Sequence, residues 1–284
     1  MADLDAVREL VSRVVYNKGY DGLDGIDPLR RLLSKDADNT IAACLEQEMR
    51  RVDEKVRGGI AFILGARYFE IGRLDAIRAL YASEDPIVTA AVLGSLTGDP
   101  GVTPGLGPAI VSLAVEGTVH PSPGVRASAC VVLMNQCAWG VDMSGAVVPM
   151  LGLIGDADAG VRQSAAYALA HFARVKRYDL SPHIVLLAHC LHDDCIHVRT
   201  AAGRALWRLS GRRDISPAIH DLIKALESPA EYAEPRKNAA GALLSFARKS
   251  EENRALVDSL AAAARLDSTK KEISRFQQQL SDSN

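Results

Sequence analysis

Hydrophobic positions along this chain recur at helical spacing. Val161, Ala165, Leu169 and Phe172 mark one stripe of an α-helix, with polar or small residues between them. An acidic turn, Asp156 to Asp158, stands ahead of the stripe. The same pattern returns as Val198, Ala202, Leu206 and Leu209 behind Asp193 and Asp194. Further copies open at Asp53, Glu84, Ser122 and Ala233. With position zero at Val56, Val88, Val125, Val161, Val198 and Arg236, the steps are 32, 37, 36, 37 and 38 residues. A near-constant period of this size predicts an array of helix pairs, hence an all-α solenoid in which antiparallel pairs stack on their neighbours.

The residue types fit that reading. The alanine four residues after the valine lets a packed helix approach closely. Asp156 and Asp193 precede their helices, where carboxylates accept from free N–H groups and meet the positive end of the helix dipole. Arg162 and Arg199 are placed to pair with such an aspartate in a neighbouring turn. The first aspartate is missing at Ser83, His120 and Glu231, so an interrupted ladder is expected at both ends.

The wording Asp156 to Leu169, D-x-D-x-x-V-R-x-x-A-A-x-A-L, resembles the second helix of a HEAT repeat, and is similar to the bacterial phycobilisome-lyase type. The tetratricopeptide and ankyrin signatures are absent. The resemblance covers roughly residues 40 to 250 and implies a HEAT/armadillo-like solenoid. It implies a binding surface more than an activity.

Around the repeats, residues 1–39 are expected to form an N-terminal helical cap, with helices at Asp5 to Tyr16 and from Pro28. Residues 40–250 hold about six repeats. Residues 251–284 form a C-terminal cap ending in the polar helix Ser268 to Leu280. Thr97 to Pro108, rich in glycine and proline, reads as a loop. Gly107-Pro108, Ser181-Pro182 and Ser216-Pro217 place proline at the first position of later A helices.

Composition narrows the function classes. Aromatic content is 5% against 48% hydrophobic, as alanine and leucine in tight helix pairs require. A net charge of −2 argues against a dedicated duplex binder. No run is long and apolar enough to span a membrane, and the N-terminus does not read as a signal peptide. Five cysteines scattered through helices suggest reduced thiols and a cytoplasmic setting; the resemblance adds that the cell is bacterial.

Candidate partner-contacting residues lie opposite the core stripe, at two, six, nine and thirteen residues after the valine. These are Phe62 and Phe69, Val131 and Met134, Gln163, Tyr167 and Arg174, Thr200, Arg204 and Trp207, then Asn238 and Ser245. In a HEAT-like array this face lines the inner curve. Trp207 beside Arg204 is the hot-spot pairing; packing of the indole against the next helix is the alternative. Residues 157–217 carry nine Arg or Lys, Arg208 among them, against five Asp. That excess suits a protein partner with an acidic surface, though solvated turn charges also account for it. His183, His189, Cys190, His192, Cys195 and His197 carry ligand atoms without the spacing of a zinc site.

No phosphate loop, nucleophile elbow or H-E-x-x-H occurs, and no cofactor is expected. The absence of any His-Glu dipeptide counts against a HEAT-type di-iron hydroxylase. The residues favour a non-catalytic protein-interaction module in an adaptor, regulatory or immunity role. A bilin-lyase-like enzyme and a nucleic-acid binder resembling HEAT-type alkylpurine glycosylases remain as alternatives.

Overall fold

The computed structural model describes residues 7, 9, 11, 27–36, 39–102, 105–226, 233–262 and 278. The expected N-terminal helix, the turn from Asp21, the Ser268 to Leu280 helix and Glu231 therefore fall, almost entirely, outside the described residues. The chain divides into two compact units, Met1–Pro149 and Met150–Asn284. Among the described residues all regular structure is helical.

The first unit opens with α1 (Asp27–Ser34). Three helix pairs follow: α2 (Thr40–Glu48) with α3 (Glu54–Glu70), α4 (Leu74–Tyr81) with α5 (Pro86–Ser95), and α6 (Leu106–Gly117) with α7 (Pro123–Ala138). The second unit takes up the pattern from α8 (Val147–Gly152), which spans the division, and α9 (Ala159–Phe172). It continues with α10 (Ile184–His189) and α11 (Ile196–Ser210), then α12 (Ile219–Leu226) and α13 (Ala233–Ala247), and α14 (Glu251–Ala262). Within the first unit the second helices stack α3 on α5 on α7; within the second, α9 on α11 on α13. This is the solenoid of helix pairs that the period predicts.

The expected stripe is the core. Val161, Ala165, Leu169, Phe172, Val198, Ala202, Leu206 and Leu209 are all at most 1% exposed. In the last pair the stripe is Pro235, Ala239, Leu243 and Phe246, all buried, whereas Arg236 is half-buried. Position zero there is thus Pro235 and not Arg236, and the step from Val198 becomes the same 37 residues as the step before it. The proline fits because the first turn of a helix has no use for its N–H.

Several first helices enter differently from expectation. α10 and α12 begin as single 3-10 turns, Ser181–His183 and Ser216–Ala218, that hold the prolines. Asp179 and Asp214 cap these turns by accepting from the Ser181 and Ser216 N–H groups at 3.0 and 2.9 Å. Pro108 lies inside the first turn of α6, which starts at Leu106 after Gly105, held at φ 80°. A side chain is rarely tolerated at that angle. The Thr97 to Pro108 stretch is therefore loop only in part, and contains a 3-10 turn at Pro100–Val102.

The turn chemistry is more regular than the sequence suggests. Asp156 and Asp193 each accept from the N–H two residues on, at 2.9 and 2.8 Å. Ser83 Oγ and His120 Nδ1 do the same for Asp85 and Ser122, at 3.2 and 3.0 Å. A hydroxyl and an imidazole thus replace the carboxylate without loss of the turn. The arginine after the valine donates back to carbonyls five and six residues earlier: Arg162 to Asp156 and Ala157, Arg126 to His120 and Pro121, Arg199 to Asp193 and Asp194. Arg162 also grips Asp193 of the next repeat through two bonds of 2.8 and 3.1 Å and reaches Asp194. Arg57 pairs with Asp85 in the same way, so the ladder persists at the Ser83 turn, where an interruption was expected.

Asp193 joins both systems. Burial pushes its carboxyl upward, but hydrogen bonds from Arg162 and the Cys195 N–H outweigh that and hold it below the usual carboxylate value. Its contribution is fully present above the unfolded value of about 3.9 and is lost as pH falls through the lower native value. Asp193→Ala is expected to cost about 1.5–3 kcal/mol near neutrality. Urea midpoints of variant and parent should converge on acidification. Leu169→Ala, at a fully buried stripe position, should cost about 2–5 kcal/mol. A parental melting curve for that variant would contradict the stripe.

Candidate functional site

The second helices of a stacked array are covered on both flanks, which narrows the face open to a partner. Thr200 and Asn238, expected on that face, are buried. Asn238 donates to the Thr200 carbonyl at 3.0 Å, joining α13 to α11. With Pro235 as position zero, Asn238 lies three residues along and not two, which explains its burial. Phe69 is also buried, against Gly98. These three are corrections to the expected exposed face. Phe62, Val131, Met134, Gln163, Tyr167, Arg204 and Ser245 are half-buried, while Arg174 and Trp207 are exposed. Met134 belongs to α7 in the first unit. Gln163, Tyr167, Arg174, Arg204, Trp207 and Arg208 all belong to the second.

Within the second unit, His171 of α9, Arg174 just beyond it, and Arg204 and Arg208 of α11 lie near enough for their charges to act on one another. Arg208 reaches back from α11 and donates to the carbonyl of Ala170, near the end of α9. Arg212 donates to the Arg174 carbonyl at 3.3 Å. These bonds satisfy carbonyls that a helix end leaves open. Burial lowers the pKa of Arg208, and the charges of Arg174 and Arg204 lower it further. Burial likewise lowers His171, and Arg208, Arg174 and Arg204 add to the shift. Among the described residues no carboxylate pairs with Arg174, Arg204 or Arg208. Elsewhere in the unit the opposite holds: Arg162 is bound by two aspartates and Arg213 by Asp179 at 3.4 Å.

Trp207 sits one helical turn from Arg204 and is 42% exposed. One face of its indole lies over Gly241 of α13, where a Cβ would come within 2.6 Å of the ring. The packing alternative is met, because the ring rests on the next helix, while part of the indole stays open to solvent. His171 was not among the expected site residues. The repeat itself holds the missed signal: His171 and Arg208 each lie ten residues after their valine, and equivalent positions stack as neighbours.

The histidine and cysteine cluster around α10 does not converge. His192 Nε2 is 2.8 Å from Asp221 of α12. Cys190 is buried, donates to the Leu186 carbonyl, and has its thiol pushed up to about 12 by burial and then by Asp193. Among the described residues no group of three His, Cys, Asp or Glu is placed to hold a metal ion. All five cysteines are free thiols.

A groove of about 810 Å³ lies in the first unit, lined in part by Glu46, Arg50, Arg57, Tyr68, Arg73 and Asp75. Its charges are largely matched internally. Tyr68 donates to Glu46 at 2.6 Å, and burial followed by Glu46 raises its pKa. Arg73 grips Asp75 with bonds of 2.9 and 2.8 Å and holds that carboxyl down at about 2.

Residues 123–281 match the model of a family described as Cnd1, non-SMC mitotic condensation complex subunit 1. No curated protein matches the chain. Among solved structures, an engineered protein from the Northeast Structural Genomics Consortium is similar over 98% of this chain and 79% of its own, at 20% identity and TM-score 0.63. A designed armadillo repeat protein is similar over 73% of this chain and 99% of its own, at 18% identity and TM-score 0.57. Computationally designed armadillo repeat proteins for modular peptide recognition are similar over 78% and 99%, at 17% identity and TM-score 0.52. At these identities the structural likeness is one of fold, and it identifies a HEAT/armadillo-type solenoid.

The seat of Trp207 on Gly241 is directly testable. In a Trp139→Phe background, Gly241→Ala should lift the indole off α13 and shift its fluorescence to the red. An unchanged spectrum would show that the ring does not rest there.

Proposed function

The chain belongs to the Cnd1 family of condensation complex subunits, and we propose that it acts without catalysis, as an adaptor or regulatory module that binds a protein partner on the second-helix face of Met150–Asn284. The observation that carries this reading is the half-exposed indole of Trp207 beside arginines that, among the described residues, no carboxylate neutralises. A rigid aromatic next to guanidinium groups is the composition of an interface hot spot. Gly241 fixes the ring from below, so little side-chain freedom remains to be lost on binding. The family description speaks of a subunit in a complex, and one of the similar folds was designed for peptide recognition. Both fit a protein partner. Among the described residues no helix is long and apolar enough to cross a membrane.

The phycobilisome-lyase-type wording of Asp156 to Leu169 brings no catalytic group with it. Its aspartates and arginine are engaged in the turns and the inter-repeat ladder. The buried thiol of Cys190, with its raised pKa, is a poor nucleophile. No reaction is therefore assigned.

Affinity purification with the full chain, followed by mass spectrometry, identifies the partner. Trp207→Ala should then weaken that complex by about 2 kcal/mol or more, while destabilising the fold less than Leu169→Ala does. A variant that binds as the parent does would remove Trp207 from the interface.

A further inference from the structure

We propose that Arg174, Arg204 and Arg208, together with His171, form a recognition site for the carboxylate side chains of an acidic peptide segment, and that filling the site draws a proton onto His171. This rests on reading the α9–α11 face as the partner-binding face, and it specifies the chemistry of what binds there.

The first argument is the sorting of charge. Two arginines of this unit are matched by carboxylates: Arg162 by Asp193 and Asp194, and Arg213 by Asp179. Arg174, Arg204 and Arg208 have no carboxylate partner among the described residues, yet stand close enough for Arg174 and Arg204 to depress Arg208. Holding like charges together costs free energy, which an incoming anion relieves. The second argument is preorganisation. Arg208 is half-buried and tethered to the Ala170 carbonyl, so part of its freedom is already lost. Guanidinium forks match carboxylates with two parallel hydrogen bonds, which a lysine patch cannot do.

Size and surroundings favour a peptide over nucleic acid. A nucleic-acid backbone is tracked by a long row of phosphate contacts. Here three guanidiniums form one compact group on a chain of net charge −2. The exposed face of Trp207, one turn from Arg204, offers an apolar anchor beside the charges. An acidic segment with an adjoining hydrophobic side chain fits both.

His171 supplies the coupling. His171 and Arg208 hold equivalent positions, ten residues after their valines, on the stacked helices α9 and α11, and the charges of Arg208, Arg174 and Arg204 all act on the imidazole; the 3-10 turn Leu153–Gly155 that also packs on α9 carries no charge. In the free protein, burial and those three cations keep the imidazole neutral below its ordinary value. A bound carboxylate cancels the cationic part of that shift and raises the histidine pKa. Binding then takes up a proton, and affinity rises as pH falls through the interval between the free and bound values.

The test uses the full chain and an acetylated, amidated hexaglutamate peptide, titrated calorimetrically at about pH 6 and about pH 8, either side of the ordinary histidine value. Two buffers of different ionisation enthalpy report the proton uptake. Binding should be several-fold tighter at the lower pH, with uptake of a fraction of one proton. Arg204→Gln and Arg174→Gln, each checked for a parental melting curve, should weaken it about tenfold. His171→Gln should bind equally at both pH values with no uptake. The proposal is overturned if hexaglutamate does not saturate the parent, if the affinity ignores pH, or if the arginine variants bind as the parent does. Displacement of the peptide by inorganic phosphate or duplex DNA at lower concentrations would also overturn it. A parent indifferent to hexaglutamate, while Trp207→Ala still loses the captured partner, sinks this assignment alone and leaves the protein-binding face standing.

Discussion

Close approach of successive second helices is the constraint on which the rest of this structure depends. Ala165, Ala202 and Ala239 occupy the same stripe position in three consecutive repeats of the second unit, and all are fully buried. Glycine extends the principle where alanine is too large: a Cβ on Gly203 would meet that of Asn238 at 3.0 Å. Once the helices are this close, side chains of one reach backbone carbonyls of the helix before it. Arg208 meets Ala170, Arg212 meets Arg174, Asn238 meets Thr200 and Lys249 meets Arg213, at offsets of 36 to 38 residues. In the first unit Gln136 does the same for Leu96 and Gly98. The bond to Ala170 satisfies a carbonyl that a helix end leaves open. Together these bonds fix the register of one repeat on the next, because a shifted helix would strand donors and acceptors together.

The same geometry sorts the arginines into two kinds. Those that follow the valine point into the turns, where carbonyls of their own turn hold Arg57, Arg126, Arg162 and Arg199, and carboxylates of the next repeat also meet Arg57 and Arg162. Arg208 and Arg212, at and beyond the end of α11, instead reach carbonyl oxygens of the preceding repeat. A carbonyl accepts a hydrogen bond but does not cancel a full charge. Arg208 therefore has a fixed position and an unneutralised charge together. The local excess of positive charge is a consequence of which end of each helix carries aspartate.

How much of this was legible follows from what the period encodes. Composition at a fixed spacing is what makes a solenoid, so the architecture, the stripe from Val161 to Phe172 and the Arg162–Asp193 pair could be read directly. The register of the last repeat could not, since Pro235 is not an obvious member of a hydrophobic stripe and Arg236 mimics the neighbouring position. The Ser83 and His120 turns looked broken because the aspartate was missing. What the turn needs is an acceptor for the N–H two residues on, and a hydroxyl or an imidazole supplies it. On the candidate face, a helical wheel drawn for one helix overstates exposure, as Thr200 and Asn238 show, because it omits the neighbours on either flank. His171 escaped notice for the converse reason. Alone it is an ordinary surface position, and it gains meaning only beside Arg208, its counterpart in the next repeat.

The contrast between the two units bears on where recognition is expected. The groove of the first unit measures about 810 Å³, yet its main charged groups are engaged with one another: Arg73 with Asp75, Arg57 with Asp85, Glu46 with the Tyr68 hydroxyl. A charged ligand entering there would have to break those pairs and repay their desolvation, which leaves little net gain. Among the described residues the cluster of the second unit has no such pairs to break. Its cations repel one another before anything binds, and an anion removes that repulsion while making its own hydrogen bonds. Electrostatic balance favours the proposed interface on α9 and α11, where the scaffold holds cations without carboxylate partners among the described residues.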